Sequence, residues 1–229
     1  MCRRRFRCLE LAESQTRDNN NVKILEICEI ALFSCQPGRP PSPSGDSLTA
    51  AQIEAVAPKS SSCANPEEIA PEECATAEQA APALTTAFEK YGVTSKAEQA
   101  AVLGLIAFES GEFRFSRNHF PGVEGQGTRN MQSPDFNKKY AASIDSLKER
   151  FEAVKDQPGK VLDLLLEEPA VDFGSGAWFL TTHCKDSVRK ELQSGSEEGW
   201  KGYIVDCVGT EANSERKGYW TAAVKALGA

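Results

Sequence analysis

Glu109 ends an apolar run, Ala100-Ala101-Val102-Leu103-Gly104-Leu105-Ile106-Ala107-Phe108. Val102, Leu105 and Ile106 lie seven, four and three residues before it. At about 3.6 residues per turn these four positions share one helical face. A carboxylate at the end of such a face is partly desolvated. Desolvation disfavours its charged form, which suits a general acid. Glu124 is the carboxylate nearest the later segment Gly125-Gln126-Gly127, and it is the candidate for a second role, as base or nucleophile. Ser110 and His119 show no pairing that would make a nucleophile. No Cys-x-x-Cys occurs, and the only two histidines, His119 and His183, lack ligand spacing to a partner, so no metal is expected.

The order Glu109-Ser110-Gly111 with Phe113, then Gly125-Gln126-Gly127 and Asn130-Met131-Gln132, resembles the lysozyme-like superfamily. Soluble lytic transglycosylases and goose-type lysozymes have a helix ending in Glu-Ser with an aromatic soon after. In them a glycine-containing segment ending in Met-Gln forms part of the sugar cleft. This chain departs at Thr128-Arg129-Asn130, where the transglycosylases usually carry a small residue, Gly and Leu. Family 19 chitinases are similar in their helix with a terminal catalytic Glu, and Ala177-Trp178-Phe179 resembles their apolar Trp-containing helix. The resemblance spans roughly Cys63 to the C-terminus.

The resemblance implies a mainly α, lysozyme-like domain over residues 63–229; by composition, residues 1–62 are expected to be a disordered leader with a Pro/Ser-rich linker. It implies a glycoside hydrolase or lytic transglycosylase that cleaves β-1,4-linked N-acetylhexosamine polymers, with peptidoglycan and chitin both open. Glu109 would protonate the leaving oxygen. Gln126, Asn130 and Gln132 would hold the sugar, with Ser110, Phe113, Met131 and Tyr140 along the cleft. No cofactor is implied. The alternative is a secreted, non-catalytic glycan-binding or effector-like protein on the same fold, since fold does not dictate function. A disulfide-stabilised structural protein is the third reading.

Composition narrows the partners. The 229 residues are 40% hydrophobic, enough for one sizeable core. Splitting the chain at Cys63 leaves +1 before it and −8 from it onward, within a total of −7. An acidic domain is a poor nucleic-acid binder, because phosphate contacts need clustered Lys and Arg. No apolar run is long enough to cross a membrane. A monomer acting on a polysaccharide is the expectation.

Eight cysteines fit an oxidising compartment and a secreted protein. Cys63 with Cys74 and Cys184 with Cys207 are the attractive local pairs. Each closes a loop of roughly ten to twenty-five residues, worth about 3 kcal/mol in chain entropy. The N-terminus carries Arg3, Arg4, Arg5 and Arg7, but the apolar stretch after it is interrupted by Lys23, Glu26 and Glu29, so it is not a clean secretory signal. Gly38 to Gly45 is a Pro/Ser linker by composition. Residues 1 to about 60 are expected to be dispensable, with a short helix near Val22 to Phe33. Cys2, Cys8, Cys28 and Cys35 have no assigned role.

The positioning elements are helices. Thr76 with Gln79 and Ser95 with Glu98 have the spacing of capping boxes. Leu84, Phe88 and Tyr91 form a helical face that Gly92 ends, and Pro82 fits a first turn. Ser133 before Pro134 opens another helix. Ile144, Leu147, Phe151 and Val154 mark the next, and Val161 to Leu166 and Phe173 to Leu180 two more. Tyr219, Ala222, Ala223, Ala226 and Leu227 keep helical spacing behind a cap at Asn213 or Ser214. Strand signals are sparse.

Overall fold

The computed structural model describes residues 47–64 and 70–229. The readings made for Met1 to Gly45, including Cys2, Cys8, Cys28 and Cys35, lie outside the described residues. Among the described residues the fold is mainly α, with eleven helices and no strand. Pairing between extended segments is limited to two isolated antiparallel bridges, Arg117 with Gly127 and Gly127 with Gln132.

Helix α3 (Lys96–Glu109) is the axis of the fold. Every residue from Ala100 to Ala107 is buried, so the helix is apolar all round and is enclosed by others. The stripe Val102, Leu105, Ile106 is therefore one side of a wholly buried rod. The C-terminal helix α11 (Ser214–Leu227) crosses it at Gly104. A Cβ on Gly104 would lie 2.9 Å from the backbone of Trp220. Trp220 in turn stacks on Trp200, ring centres 5.1 Å apart. On another side, α8 (Ser175–His183) meets α3 through Gly176, whose absent Cβ leaves room for Val102 and Ile106.

Helix α2 (Ala77–Tyr91) begins where its capping box places it: Thr76 and Gln79 satisfy each other's end of the backbone. That start puts Pro82 inside the helix rather than in its first turn, a difference from the sequence expectation. Gly92 closes the helix at φ 65. The second expected capping box does not form. Ser95 makes no side-chain cap, and Glu98 is drawn away, 1% exposed, to Arg189 at 2.8 Å on α9 (Asp186–Leu192). An ion pair with a neighbouring helix outcompetes the local cap.

Helical packing on the core reaches ahead of Cys63. Helix α1 (Ala50–Val56) carries a full capping box, Thr49 with Gln52, and buries Ile53 and Val56. It packs on α2 and α11, and Gln52 donates to the carbonyl of Ala226 at 3.2 Å. Two apolar residues three apart are too short a pattern to stand out from a linker, and their partners lie far along the chain.

The remaining helices complete the shell: α4 (Pro134–Ala142), α5 (Lys148–Val154), α6 (Pro158–Leu166), α7 (Pro169–Asp172) and α10 (Glu197–Gly202). A π-helical turn, Tyr203–Val208, follows α10. Both expected disulfides are present, Cys63–Cys74 and Cys184–Cys207. The second ties the π-helical turn to the end of α8.

Candidate functional site

Glu109 is half-buried at the end of α3. Its Oε1 receives two hydrogen bonds from Arg216 of α11, Nη2 at 2.8 Å and Nε at 3.1 Å. The guanidinium also lies 4.4 Å from the ring centre of Phe108. Glu109 is thus one half of an ion pair between two helices, not a lone carboxylate at the end of a greasy face. Tyr203, in the π-helical turn, is fully buried with no partner recorded for its hydroxyl. Burial, and then the charge of Glu109, push that phenol well above its ordinary value.

Past Glu109 the backbone turns through Gly111, Glu112 and Phe113, all at positive φ of 60 to 68. Two consecutive non-glycine residues in that region are strained and must be held by their surroundings. Ser110 holds one side: its hydroxyl donates to Ile106 O at 2.6 Å and accepts from Phe113 N at 2.9 Å. Glu112 holds the other, accepting from Lys59 N at 2.6 Å and from the Tyr219 hydroxyl at 2.8 Å.

Several expected cleft residues are placed in the interior. Ser110, Phe113 and Tyr140 are fully buried. Phe113 packs edge-on against Phe173 at 5.1 Å, and the Tyr140 hydroxyl donates to Val171 O at 2.9 Å. Gln132 donates to Asn137 at 2.8 Å, and Gln126 donates to the carbonyl of Met131 at 3.1 Å. Met131 itself sits at φ 48 in this turn. Asn130 reaches Gln132 at 3.5 Å, and its Oδ1 is buried with no partner recorded. The amides chiefly close their own loop. The glycines of the segment have packing reasons: a Cβ on Gly127 would meet Ser116 O at 2.3 Å, and one on Gly125 would meet Pro158 at 2.5 Å. Glu124 is exposed, its carboxylate over Gly159 at the N-terminus of α6, where a negative charge is favoured.

Charged groups converge elsewhere, around Arg129. This residue, read as a departure from the resembled pattern, is 5% exposed. It donates to Asp172 Oδ2 at 2.7 Å and to three carbonyls: Phe113 and Glu73 at 2.7 Å, and Phe115 at 3.3 Å. Its own N–H donates to Asp172 Oδ1 at 3.0 Å. Burial pushes the Asp172 carboxyl above its ordinary value, and the Arg129 donors oppose that. Beside it a second buried carboxylate, Glu73, accepts from the N–H groups of Ser116 at 2.8 Å and Arg117 at 3.0 Å. Its other oxygen lies 2.9 Å from His119 Nε2. Arg117 reaches Asp163 at 2.9 Å. Glu73, Ser116, Arg117, Arg129 and Asp172 line an open cleft of about 390 Å³, with Phe173 and Leu166 as its apolar lining.

Glu73 and Asp172 gave no sequence signal. Glu73 stands in a Pro/Glu-rich loop, and Arg129 and Asp172 are separated by α4, α5 and α6. The capping and cysteine patterns around Glu73 show the loop is tethered, not that its carboxylate turns inward.

No family model matches the chain, and no solved structure matches it. Over 156 residues, 66% of this chain, it is 44% identical to a bifunctional dioxygenase (DOX)-epoxy alcohol synthase (EAS) of Fusarium oxysporum (strain Fo5176). The match covers 12% of that relative, so the chain corresponds to a small segment of it. This finding corrects the expected glycan-cleaving activity, its glycan-binding alternative and the polysaccharide partner: the relative is named for oxygen chemistry, not for glycoside cleavage.

Dioxygenase chemistry needs a group that exchanges electrons with oxygen. The described donors do not fit an iron or copper ion held by three or more side chains. Among the described residues there is no group of three or more His, Cys, Asp or Glu that could hold a metal. The four described cysteines are in disulfides, so they offer no thiolate. His119 faces Glu73, and His183 packs against Phe136 and Phe179.

Proposed function

We propose that this chain is a helical module that serves oxygen-transfer chemistry of the dioxygenase–epoxy alcohol synthase kind by receiving an oxygenated small molecule, with the redox centre held by other segments of such enzymes. The 44% identity over 156 residues carries the reading. The donor set described above supports the division of labour. The cleft between Glu73, Arg117, Arg129 and Asp172 is the receiving site. Its carboxylates, Glu72, Glu73 and Asp172, outnumber its guanidinium groups, Arg117 and Arg129. A neutral ligand is favoured there over an anion. Hydroxyl and epoxide oxygens suit the rim donors, and a carbon chain suits Phe173 and Leu166.

The module works in an oxidising compartment, because both described disulfides persist only where thiols are not kept reduced. The resemblance to the lysozyme-like superfamily is kept as a proposal about chain path alone.

Titration calorimetry of the full chain with a long-chain epoxy alcohol, beside its unoxidised parent, tests this. The epoxy alcohol should bind and the parent should bind at least tenfold more weakly. Arg117→Ala should weaken the epoxy alcohol alone. Equal binding of both compounds, or of neither, refutes the receiving site. Oxygen uptake by the purified chain with the parent compound would refute the division of labour.

A further inference from the structure

We propose that Glu73 and His119 form a proton-transfer pair that opens an epoxide with water, a step resting on the cleft reading above. The carboxylate of Glu73 is fixed on every side. Cys74, next in the chain, is bridged to Cys63. Two backbone N–H groups hold Oε2, and Oε1 faces His119 Nε2 at 2.9 Å. The Glu73 side chain is 6% exposed, whereas that of His119 is 28% exposed. A carboxylate only accepts, so in the neutral imidazole the proton assigned by this hydrogen bond sits on Nε2. That leaves the Nδ1 lone pair free to take a proton. The ring is steadied by an edge-on contact with Phe115, centres 5.5 Å apart. Imidazole oriented by a buried carboxylate is the general-base arrangement that activates an oxygen nucleophile.

Purely structural service explains less of this. The loop is already tied by the disulfide and by both N–H groups on Oε2, and Arg117 approaches Glu73 Oε1 at 3.9 Å. His119 adds no further anchor to the core; its partly exposed ring stands beside Glu73, which lines the cleft.

The step balances without any redox partner. His119 Nδ1 takes a proton from water as the water oxygen bonds to an epoxide carbon. The ring C–O bond breaks, its electron pair stays on oxygen, and the resulting alkoxide takes the proton back from the imidazolium. The product is a diol, the epoxide plus one water. His119 is the catalytic residue, and Glu73 is a positioning residue.

The test uses the full chain with a long-chain epoxy alcohol, products weighed by mass spectrometry and binding measured separately by calorimetry. Wild type should yield a product heavier by one water. His119→Ala should fold normally, since the ring is partly exposed, and lose 10²–10⁴-fold in rate, the range typical of a general base. Added imidazole should restore part of that rate, which a structural role would not allow. Binding without conversion by wild type overturns the inference and leaves the cleft reading intact. Neither binding nor conversion overturns both. His119→Ala retaining more than about a tenth of the rate, or failing to respond to imidazole, also overturns it.

Discussion

Arg129 and Asp172 are 43 residues apart in sequence and meet in the interior, Nε to Oδ2 at 2.7 Å, each side chain 6% exposed. Removing one member of a buried pair strands the other charge, at a cost of about 3–5 kcal/mol. Arg129→Met should therefore lower the urea-unfolding free energy by roughly that amount. Arg129→Met with Asp172→Leu removes both charges yet leaves the carbonyls of Phe115 and Glu73 without their donor, while Phe113 O keeps the N–H of Ala75. The double variant should recover only part of the loss, and full recovery would show that those carbonyls need no donor.

Two glycines on one helix crossing should respond in opposite directions. Gly104 faces the backbone of Trp220 and Tyr219, none of which can swing aside, with a prospective Cβ at 2.9 to 3.1 Å. Gly104→Ala should force α3 and α11 apart and cost about 1–3 kcal/mol. Gly218, inside α11, has nothing within 4 Å of its prospective Cβ. Gly218→Ala should stabilise by about 0.5–1 kcal/mol, the ordinary gain of Ala over Gly in a helix. Thermal melts of the two single variants check both signs, and a destabilised Gly218→Ala would sink the second.

Local patterns were legible in the sequence; inward-turned charges were not. Thr76 with Gln79, Gly92, Asn213 and the helical spacings of α3 and α11 speak for their own segments, and the structure carries them. The pairs Cys63–Cys74 and Cys184–Cys207 were legible because each is short in sequence. Glu109 was misread for a physical reason. Periodicity places a carboxylate on a face, but it cannot show that Arg216, 107 residues later, arrives there. Arg129 reads as an irregularity in a motif until its donors are seen filled by three distant carbonyls and Asp172. The same holds for Glu73: its meaning depends on Ser116, Arg117 and His119, and none of those contacts leaves a periodic trace.

The buried phenols set an alkaline limit. Burial first, then its hydrogen bond to Glu112, pushes the Tyr219 phenol from 10.0 up to about 12. Burial pushes Tyr140 and Tyr203 higher still. In each case the folded chain holds its proton to higher pH than the unfolded chain does. Their contribution is therefore intact below pH 10, the ordinary phenol value, and is lost as pH rises through the window to about 12 and beyond. Urea midpoints should fall steadily across that window; in a Tyr91→Phe chain, which keeps only these three phenols, phenolate absorbance should rise only as the chain unfolds. A flat midpoint, or phenolate appearing in the folded Tyr91→Phe chain near pH 10, would contradict the burial of these groups.

The segment ahead of Cys63 should prove indispensable from α1 onward. Ile53 is fully buried, Val56 is 3% exposed and Ala57 fully buried. Leu48 N donates to Thr85 at 3.0 Å, Gln52 caps the carbonyl of Ala226, and Lys59 N holds the strained Glu112. A chain beginning at Ser60 loses all of these together, whereas one beginning at Ser47 keeps them. Losing the Ile53 side chain alone costs about 2–5 kcal/mol. For a domain of this size, each 1 kcal/mol moves the melting temperature by about 2–4 °C. The Ser60 chain should thus melt at least about 10 °C below the Ser47 chain, or fail to fold. The single variant Ile53→Ala, in the Ser47 chain, should show a drop of roughly half that or more. Equal melting of the Ser47 and Ser60 chains would mean that α1 adds nothing to the core, and that residues 1 to about 60 are dispensable as the sequence alone suggests.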